Sequence, residues 1–273
     1  MGESKYDETA SSMVGLLKYG CGLPFHRIEI LQRGLLSAME VIGFPEVIGA
    51  LSRLFQQAGV RWTISTQTFE ATNVGIQMGS KAVAATLVGR IVAAAEGLGV
   101  KYVISPECGH AYSALKWEGP NLIGRAYGFE VVHIVELLDR LLAEGRIRLK
   151  GKDGRKLTFH DPCQLVRRGG IVEEPHRVLR AVAADFVEMD GAGLANICCG
   201  GGGGVSTNSR AEPLRLAAFR CKKDQIDALG GIGGVVTACA NCRNVMEEAM
   251  EHYGMELPVI GLGEMLAQYL EPS

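Results

Sequence analysis

The sequence predicts an α/β fold in two similar lobes, each a mostly parallel sheet flanked by helices, with a metal site in the loops after the strands. Three observations predict it. Helix-like and strand-like segments alternate along the chain, the pattern of layered α/β proteins. GLGVKYVISPECGHAYSALK (97–116) and GIGGVVTACANCRNVMEEA (231–249) share a glycine-rich turn, a buried strand, a Cys-bearing loop and a helix. EVVHIVELL (130–138) matches PVIGLGEML (258–266) in position and pattern. These repeats imply an internal duplication, with lobes 1–152 and 153–273 packed face to face around a site. A period of about 130 residues is too long for a solenoid.

Taken in order, 28–43 and 46–59 predict helices, and RWTIS (61–65) a short strand. KAVAATLVGRIVAAAEGLG (81–99) predicts a helix ending in glycine. VKYVIS (100–105) predicts a buried strand, EVVHI (130–134) another, and 135–147 a helix. KGKDGRK (150–156) predicts a polar turn. LTFHDPC (157–163) then predicts a strand running into a loop, 174–183 a helix and DFVEM (185–189) a short strand. The remainder predicts a helix over 213–230, a strand over 233–239 and a helix over 243–254. PVIGLGEMLAQYL (258–270) repeats the strand-then-helix form.

Composition narrows the function. The 273 residues are 47% hydrophobic and 21% charged, which fits a globular chain and excludes disorder. The net charge of −2, with no basic run, argues against a nucleic-acid binder. The polar start MGESKYDETASS has no apolar core of a signal peptide. The most apolar stretch, 82–100, carries Arg90 and Glu96 and predicts an amphipathic helix instead of a membrane span. A cytoplasmic, reducing location is expected. Eight cysteines there point to metal binding or redox chemistry in preference to disulfides.

Five of them form a pattern in the second lobe. Cys163 is followed after 34 residues by Cys198 and Cys199, and after 39 more by Cys239-x-x-Cys242. Each group falls in a loop just after a predicted strand, and parallel strands bring such loops to one edge. A Cys-x-x-Cys pair alone serves zinc, clusters and dithiol centres equally. Five thiolates exceed the four positions of zinc, whereas an iron–sulfur cluster presents several irons in several directions. Gly200 to Gly204, directly after the cysteine pair, let bare backbone approach a bulky inorganic core and aim N–H groups at its sulfur.

HDPCQLVR, NICCGGGGG and TACANCRN resemble the cysteine-rich CCG domain of the B-subunit family of heterodisulfide reductases. Relatives of that family include iron–sulfur subunits of glycolate and lactate oxidases and the cytoplasmic subunit of sulfite-reductase-linked membrane complexes. The resemblance spans both lobes, with the full motif only in the second. It implies a non-cubane [4Fe-4S] cluster held by Cys163, Cys198, Cys199, Cys239 and Cys242. It also implies a ferredoxin-like iron–sulfur subunit and a flavoprotein subunit as partners, and a thiol/disulfide substrate or small sulfur-carrier protein.

The first lobe departs from the motif. Aligning VISPECGH (103–110) on VVTACANC (235–242) sets Glu107 against Cys239 and His110 against Cys242, with Cys108 between. Cys21 is the counterpart of Cys163. Such a degenerate lobe is similar to the sulfite-reductase-linked subunit and to sulfur-oxidising heterodisulfide-reductase-like subunits. Cys21, Glu107, Cys108 and His110 are a candidate second metal site or a thiol pocket, with Cys108 and His110 as candidate catalytic residues. A neighbouring His110 would lower the Cys108 pKa; equally, Cys21 and Cys108 would serve as small buried side chains. Cys221, alone in its helix, is expected to be structural. His160 would hydrogen-bond near the cluster or simply cap its loop, with the cap favoured. Arg167, Arg168 and Arg243, which follow the cluster loops, would attract an anionic substrate or partner tail or stay solvated, with solvation favoured.

The leading function is sulfur redox catalysis in a larger complex. The alternatives are an electron relay to a flavin or quinone partner and a colourless structural zinc protein. No Gly-x-Gly-x-x-Gly opens a helix, so no nicotinamide or flavin is expected on this chain.

Overall fold

The computed structural model describes residues 33–36, 46–65 and 74–272. Four strands of the first half are β1 (Arg33–Leu36), β2 (Arg61–Ile64), β3 (Tyr102–Ser105) and β4 (Glu130–His133). Between them lie α1 (Glu46–Gln57), α2 (Val74–Gln77), α3 (Lys81–Gly97), α4 (Gly109–Ser113) and α5 (Gly119–Ile123), and α6 (Ile134–Ala143) follows β4. The second half contributes β5 (Asp153–His160), α7 (Glu173–Val182), β6 (Ala183–Phe186), α8 (Glu212–Leu229), β7 (Gly234–Thr237), α9 (Ala240–His252), β8 (Val259–Gly261) and α10 (Leu262–Gln268).

Both sheets are parallel throughout, in the orders β2-β1-β3-β4 and β6-β5-β7-β8. Substituting β5 to β8 for β1 to β4 turns one order into the other. The central strands are apolar without alternation because both their faces are covered: Val103 and Ile104 in β3, and Val235 and Val236 in β7, are all buried.

Local chemistry explains the helix boundaries. In α1, Val47, Ala50, Leu51, Leu54 and Phe55 recur at helical spacing and form the buried face. Ser80 caps α3, its Oγ accepting the Val83 N–H at 3.3 Å. At α6 the Glu136 carboxylate accepts the His133 N–H at 2.8 Å while His133 Nδ1 accepts from Val135. One apolar cluster runs through both halves, from Leu51 and Ile104 to Phe159 and Val236. A second, smaller one gathers Phe219, Met246 and Met250 with Cys199, Cys239 and Cys242. No helix among the described residues is long and apolar enough to cross a membrane.

Three expectations need correction. Residues 33–36, expected within a helix over 28–43, form β1 at the heart of the first sheet; the rest of that span lies outside the described residues. Pairing with β2 and β3 overrides the local helical pattern. The polar stretch 150–156 is a turn only to Lys152, because Asp153 already pairs with Ala183 and begins β5. The expected strand at 185–189 runs instead over Ala183–Phe186, starting and ending earlier. Nothing in the sequence pattern foretells two π-helical turns, Ala114–Glu118 and Gln164–Arg168. Such turns are rare and concentrate at functional sites.

Candidate metal centre

Parallel strands place their following loops along one edge, and three loops meet there. β5 ends at His160 and runs through Asp161 and Pro162 to Cys163. β7 ends at Thr237, and Cys239 becomes the N-cap of α9, which carries Cys242 in its first turn. The chain after β6 returns to the same edge at Cys198 and Cys199. A buried lattice fixes that return: Asp161 Oδ2 accepts the Gly193 N–H at 2.9 Å, and Asn196 Nδ2 donates to the Asp161 carbonyl at 2.8 Å. His176 anchors Asp161 from behind, Nε2 to Oδ1 at 2.9 Å, and reaches Glu188 through Nδ1 at 3.1 Å.

The five thiols form one connected group. Cys163 and Cys198 Sγ lie 3.8 Å apart, and Cys199 and Cys242 Sγ lie 3.3 Å apart. Cys198 and Cys199 are hydrogen-bonded through their side chains, as are Cys239 and Cys242. Cys199, Cys239 and Cys242 are buried, whereas Cys163 and Cys198 are half-buried and mark the open side. Crowding splits their ionisation. Hydrogen bonds from Cys163 and Cys199 hold the Cys198 thiol far below its ordinary range, with help from the Gly200 N–H at 3.3 Å. The Cys242 thiol and the N–H groups of Cys242, Asn241 and Gly109 lower Cys239. Cys163, Cys199 and Cys242, which donate to those sulfurs, are pushed up, Cys199 to about 12. A bound cation would expel these protons.

The glycine run is needed at specific points. Gly200 has φ +91°, and a β-carbon there would meet Ala218 Cβ at 2.8 Å. A β-carbon on Gly201 would meet Val245 Cγ2 at 2.5 Å.

His160 corrects the sequence reading. It is fully buried, one of its ring nitrogens lies within 4.8 Å of the Cys199 and Cys242 sulfurs, and neither nitrogen has a hydrogen-bond partner. Burial pushes its pKa down to about 3, so the ring is neutral. Among the described residues, His160, Cys199 and Cys242 form the one group of three or more His, Cys, Asp or Glu side chains placed to hold a metal ion.

Lys222 went unnoticed in the sequence. It is 2% exposed, and its Nζ sits 3.5 Å from Met189 Sδ, within the field of Asp161, Cys199, Cys242 and Cys198. Burial pushes its pKa down to about 8. The available signal was a lysine on the same face of α8 as buried Phe219 and Ile226.

Two of the first-lobe candidates, Glu107 and His110, lie within the field of the same thiols. Cys21 lies outside the described residues. Glu107 is buried; its carbonyl accepts the Ala240 N–H at 2.9 Å, and its Oε2 has no partner. Burial, reinforced by Glu264, pushes its carboxyl up to about 8. Cys108 is half-buried and caps α4, its Sγ accepting the Ala111 N–H at 3.4 Å. Burial lowers the His110 pKa, and a β-carbon on Gly202 would lie 3.5 Å from the His110 ring. His110 lines a cavity of about 150 Å³ with Ile76, Gln77, Ala114, Glu118, Gln164, Arg168 and Gly203.

The two π-helical turns supply four of these lining residues, the first and last of each: Ala114 and Glu118, Gln164 and Arg168. Gln164 Oε1 is buried without a partner. Arg168 pairs with Glu118, and Arg243 pairs with Glu264 and Glu247, so neither is simply solvated. Arg167 is exposed. Cys221 is exposed as well and so fills no core position, contrary to a structural role.

Residues 157–247 match the family described as a cysteine-rich domain, CCG. The chain is 35% identical over 162 residues to EtfAB:quinone oxidoreductase of Syntrophomonas wolfei, covering 59% of this chain and 22% of that protein. It is 32% identical over 164 residues to the D subunit of dihydromethanophenazine:CoB–CoM heterodisulfide reductase of Methanosarcina acetivorans, covering 60% and 39%. It is 28% identical over 260 residues to Hdr-like menaquinol oxidoreductase iron-sulfur subunit 2 of Archaeoglobus fulgidus, covering 80% and 46%. The chain thus spans less than half the length of each of these relatives. Solved structures similar to it include glutamate racemase from Campylobacter jejuni. That match has 12% identity and a TM-score of 0.38 over 87% of this chain and 84% of the other, too low to carry a fold or an activity.

Proposed function

We propose that this chain, a heterodisulfide-reductase-like protein with a CCG cysteine-rich domain, holds one iron–sulfur cluster on Cys163, Cys198, Cys199, Cys239 and Cys242. It serves as the catalytic iron–sulfur subunit of a cytoplasmic complex acting on a disulfide, a thiol or a protein-bound sulfur. The observation that carries this is the connected group of five thiols, buried on one side and half-exposed on the other.

The donor set fits such a group. Five thiols exceed what zinc takes. The glycine run brings backbone close, with the Gly200 N–H already directed at sulfur. Two orphaned ring nitrogens on His160 and a buried ammonium on Lys222 suit a sulfur-rich, negatively charged guest. The resemblance implies the non-cubane [4Fe-4S] form. Bound there, it would supply electrons one at a time and an iron open to a thiolate.

The chain's own groups would handle the substrate. The cavity between the two π-helical turns has room for a short thiol or the tip of a carrier arm, well under the size of a dinucleotide site. Gln164 Oε1 would accept a hydrogen bond from an incoming S–H. His110, kept neutral by burial, would present a ring N–H to a sulfur in the cavity. Arg168 at the rim would draw an anionic tail. Reductive cleavage of a disulfide consumes two electrons and two protons and yields two thiols. The electrons would come from a ferredoxin-like iron–sulfur subunit and a flavoprotein subunit of the same complex. The shared strand order supports an internal duplication into 1–152 and 153–273, with the first half having lost its own cluster ligands.

A second reading, an electron relay to a flavin or quinone partner, is favoured by relatives named as quinone and menaquinol oxidoreductases. Anaerobic purification with iron, zinc and sulfide analysis and EPR tests both. About four iron and four sulfide per chain are expected. An EPR signal that changes on adding thioglycolate or a small disulfide supports catalysis, and an unchanged signal supports the relay. About one zinc without sulfide would sink both.

A further inference from the structure

The five cysteines leave one buried group beside them without a task. His160 closes β5, where it pairs in register with Thr237 of β7, and its carbonyl accepts the Thr237 hydroxyl at 3.1 Å. The backbone on either side of the ring is therefore fixed by the sheet. The side chain is 0% exposed, so water does not reach it. A neutral imidazole carries one N–H donor and one lone pair. Neither ring nitrogen has a partner, although buried polar atoms in folded proteins almost always do. One ring nitrogen and the sulfurs of Cys199 and Cys242 all lie within 4.8 Å of one another, so what satisfies the ring lies where those two thiols converge.

We infer that His160 donates its ring N–H to a sulfur of the group held by Cys199 and Cys242, and that this hydrogen bond raises the group's reduction potential. The inference rests on the iron–sulfur reading of the site. Sulfur is the acceptor because thiolates and sulfides are what the site concentrates around the ring. Direct bonding of the ring to iron is disfavoured, because five cysteines already supply the donors. The potential rises because a reduced cluster carries one more negative charge, which an N–H donor stabilises more than it does the oxidised form. His160 is thus a positioning and tuning residue, distinct from the cavity groups His110 and Gln164 on the substrate side.

The test is pulsed EPR of the reduced, anaerobically purified protein containing ¹⁵N-histidine, together with EPR-monitored redox titration of His160→Leu and His160→Gln. Iron and sulfide are measured in every sample. A weak ¹⁵N coupling is expected, lost in His160→Leu. The midpoint of His160→Leu should fall while its iron and sulfide content stays at the unsubstituted level. His160→Gln, which keeps an N–H donor, should recover part of the shift. No nitrogen coupling, a strong coupling typical of a direct iron–nitrogen bond, or an unchanged midpoint in His160→Leu would overturn the inference. If His160→Leu fails to fold, loss of the coupling in His160→Gln, with the coupling retained in His110→Gln, decides the matter. Unsubstituted protein lacking iron and sulfide would overturn the underlying reading of the site instead, and the metal analysis identifies that outcome separately.

Discussion

Glu118 and Arg168, the last residues of two separate π-helical turns, form an ion pair at the cavity between the two halves of the chain. The pair holds the guanidinium at the rim and occupies part of its charge. Removing Glu118 frees that charge for an anionic ligand, and removing Arg168 deletes it. With thioglycolate as probe, Glu118→Gln should lower the half-saturating concentration for the EPR change. Arg168→Ala should raise it by up to about five-fold, the worth of an exposed charge of about 1 kcal/mol. Iron content should stay constant in both. Equal half-saturation in all three proteins would remove Arg168 from ligand binding.

The loop that carries Glu107 and Cys108 docks closely on the second half. A β-carbon on Gly109 would collide with the Leu165 backbone nitrogen, an approach only glycine permits. The Gly109 N–H also reaches the Cys239 sulfur. Gly109→Ala should therefore cost about 1–3 kcal/mol in urea unfolding, as overpacking does. It should also lower iron retention, because the Cys239 loop is displaced. Unchanged unfolding and iron content would mean the two halves are not held together at this point.

His176 links pH to stability. Burial pulls its pKa down, but Asp161 and Glu188 outweigh that, and the net shift is upward. The folded protein therefore binds this proton more tightly than the unfolded chain. Its contribution is complete below the unfolded value of about 6.5 and is lost as pH rises through the folded value. Urea midpoints compared at pH 6 and pH 8.5 should show this decline, and His176→Gln should reduce it. An identical pH dependence in the variant would assign the decline to other groups.

Lys222 acts in opposite directions in the empty and loaded protein. Burial holds its pKa near about 8, so below that pH the fold carries the cost of a buried ammonium. The cost is relieved between about 8 and the unfolded value of about 10.4, so metal-free stability should rise over that window. Lys222→Met should flatten the rise and stabilise the metal-free protein at pH 7 by up to about 3 kcal/mol. In the loaded protein the same substitution should lower the midpoint potential, because a positive charge beside the thiolates is gone. A midpoint equal to that of the unsubstituted protein would show that the ammonium does not sense the cluster.

Much of this was legible in the sequence because it rests on short-range rules. The runs YVIS, LTFH and GVVT specify buried parallel strands by composition alone, and cysteines placed just after strands must arrive at one edge of a sheet. The order of Cys163, Cys198, Cys199, Cys239 and Cys242, with glycines following the pair, therefore announced a shared site.

Other features depend on what folding brings near. RGLL at 33–36 became a strand because two neighbouring strands pair with it, a long-range gain that no local pattern encodes. The two π-helical turns depend on an extra residue in the hydrogen-bond ladder, and no residue type marks that insertion. His160 and Lys222 look like an ordinary strand end and an ordinary helix lysine until folding seals the end of β5 and the inner face of α8. Burial then takes water from both and leaves the thiol cluster as their surroundings. Sequence determined which thiols the protein carries and roughly where they meet. Only tertiary structure decided which polar groups are sealed in beside them, because desolvation is a property of the assembled neighbourhood and not of the residue.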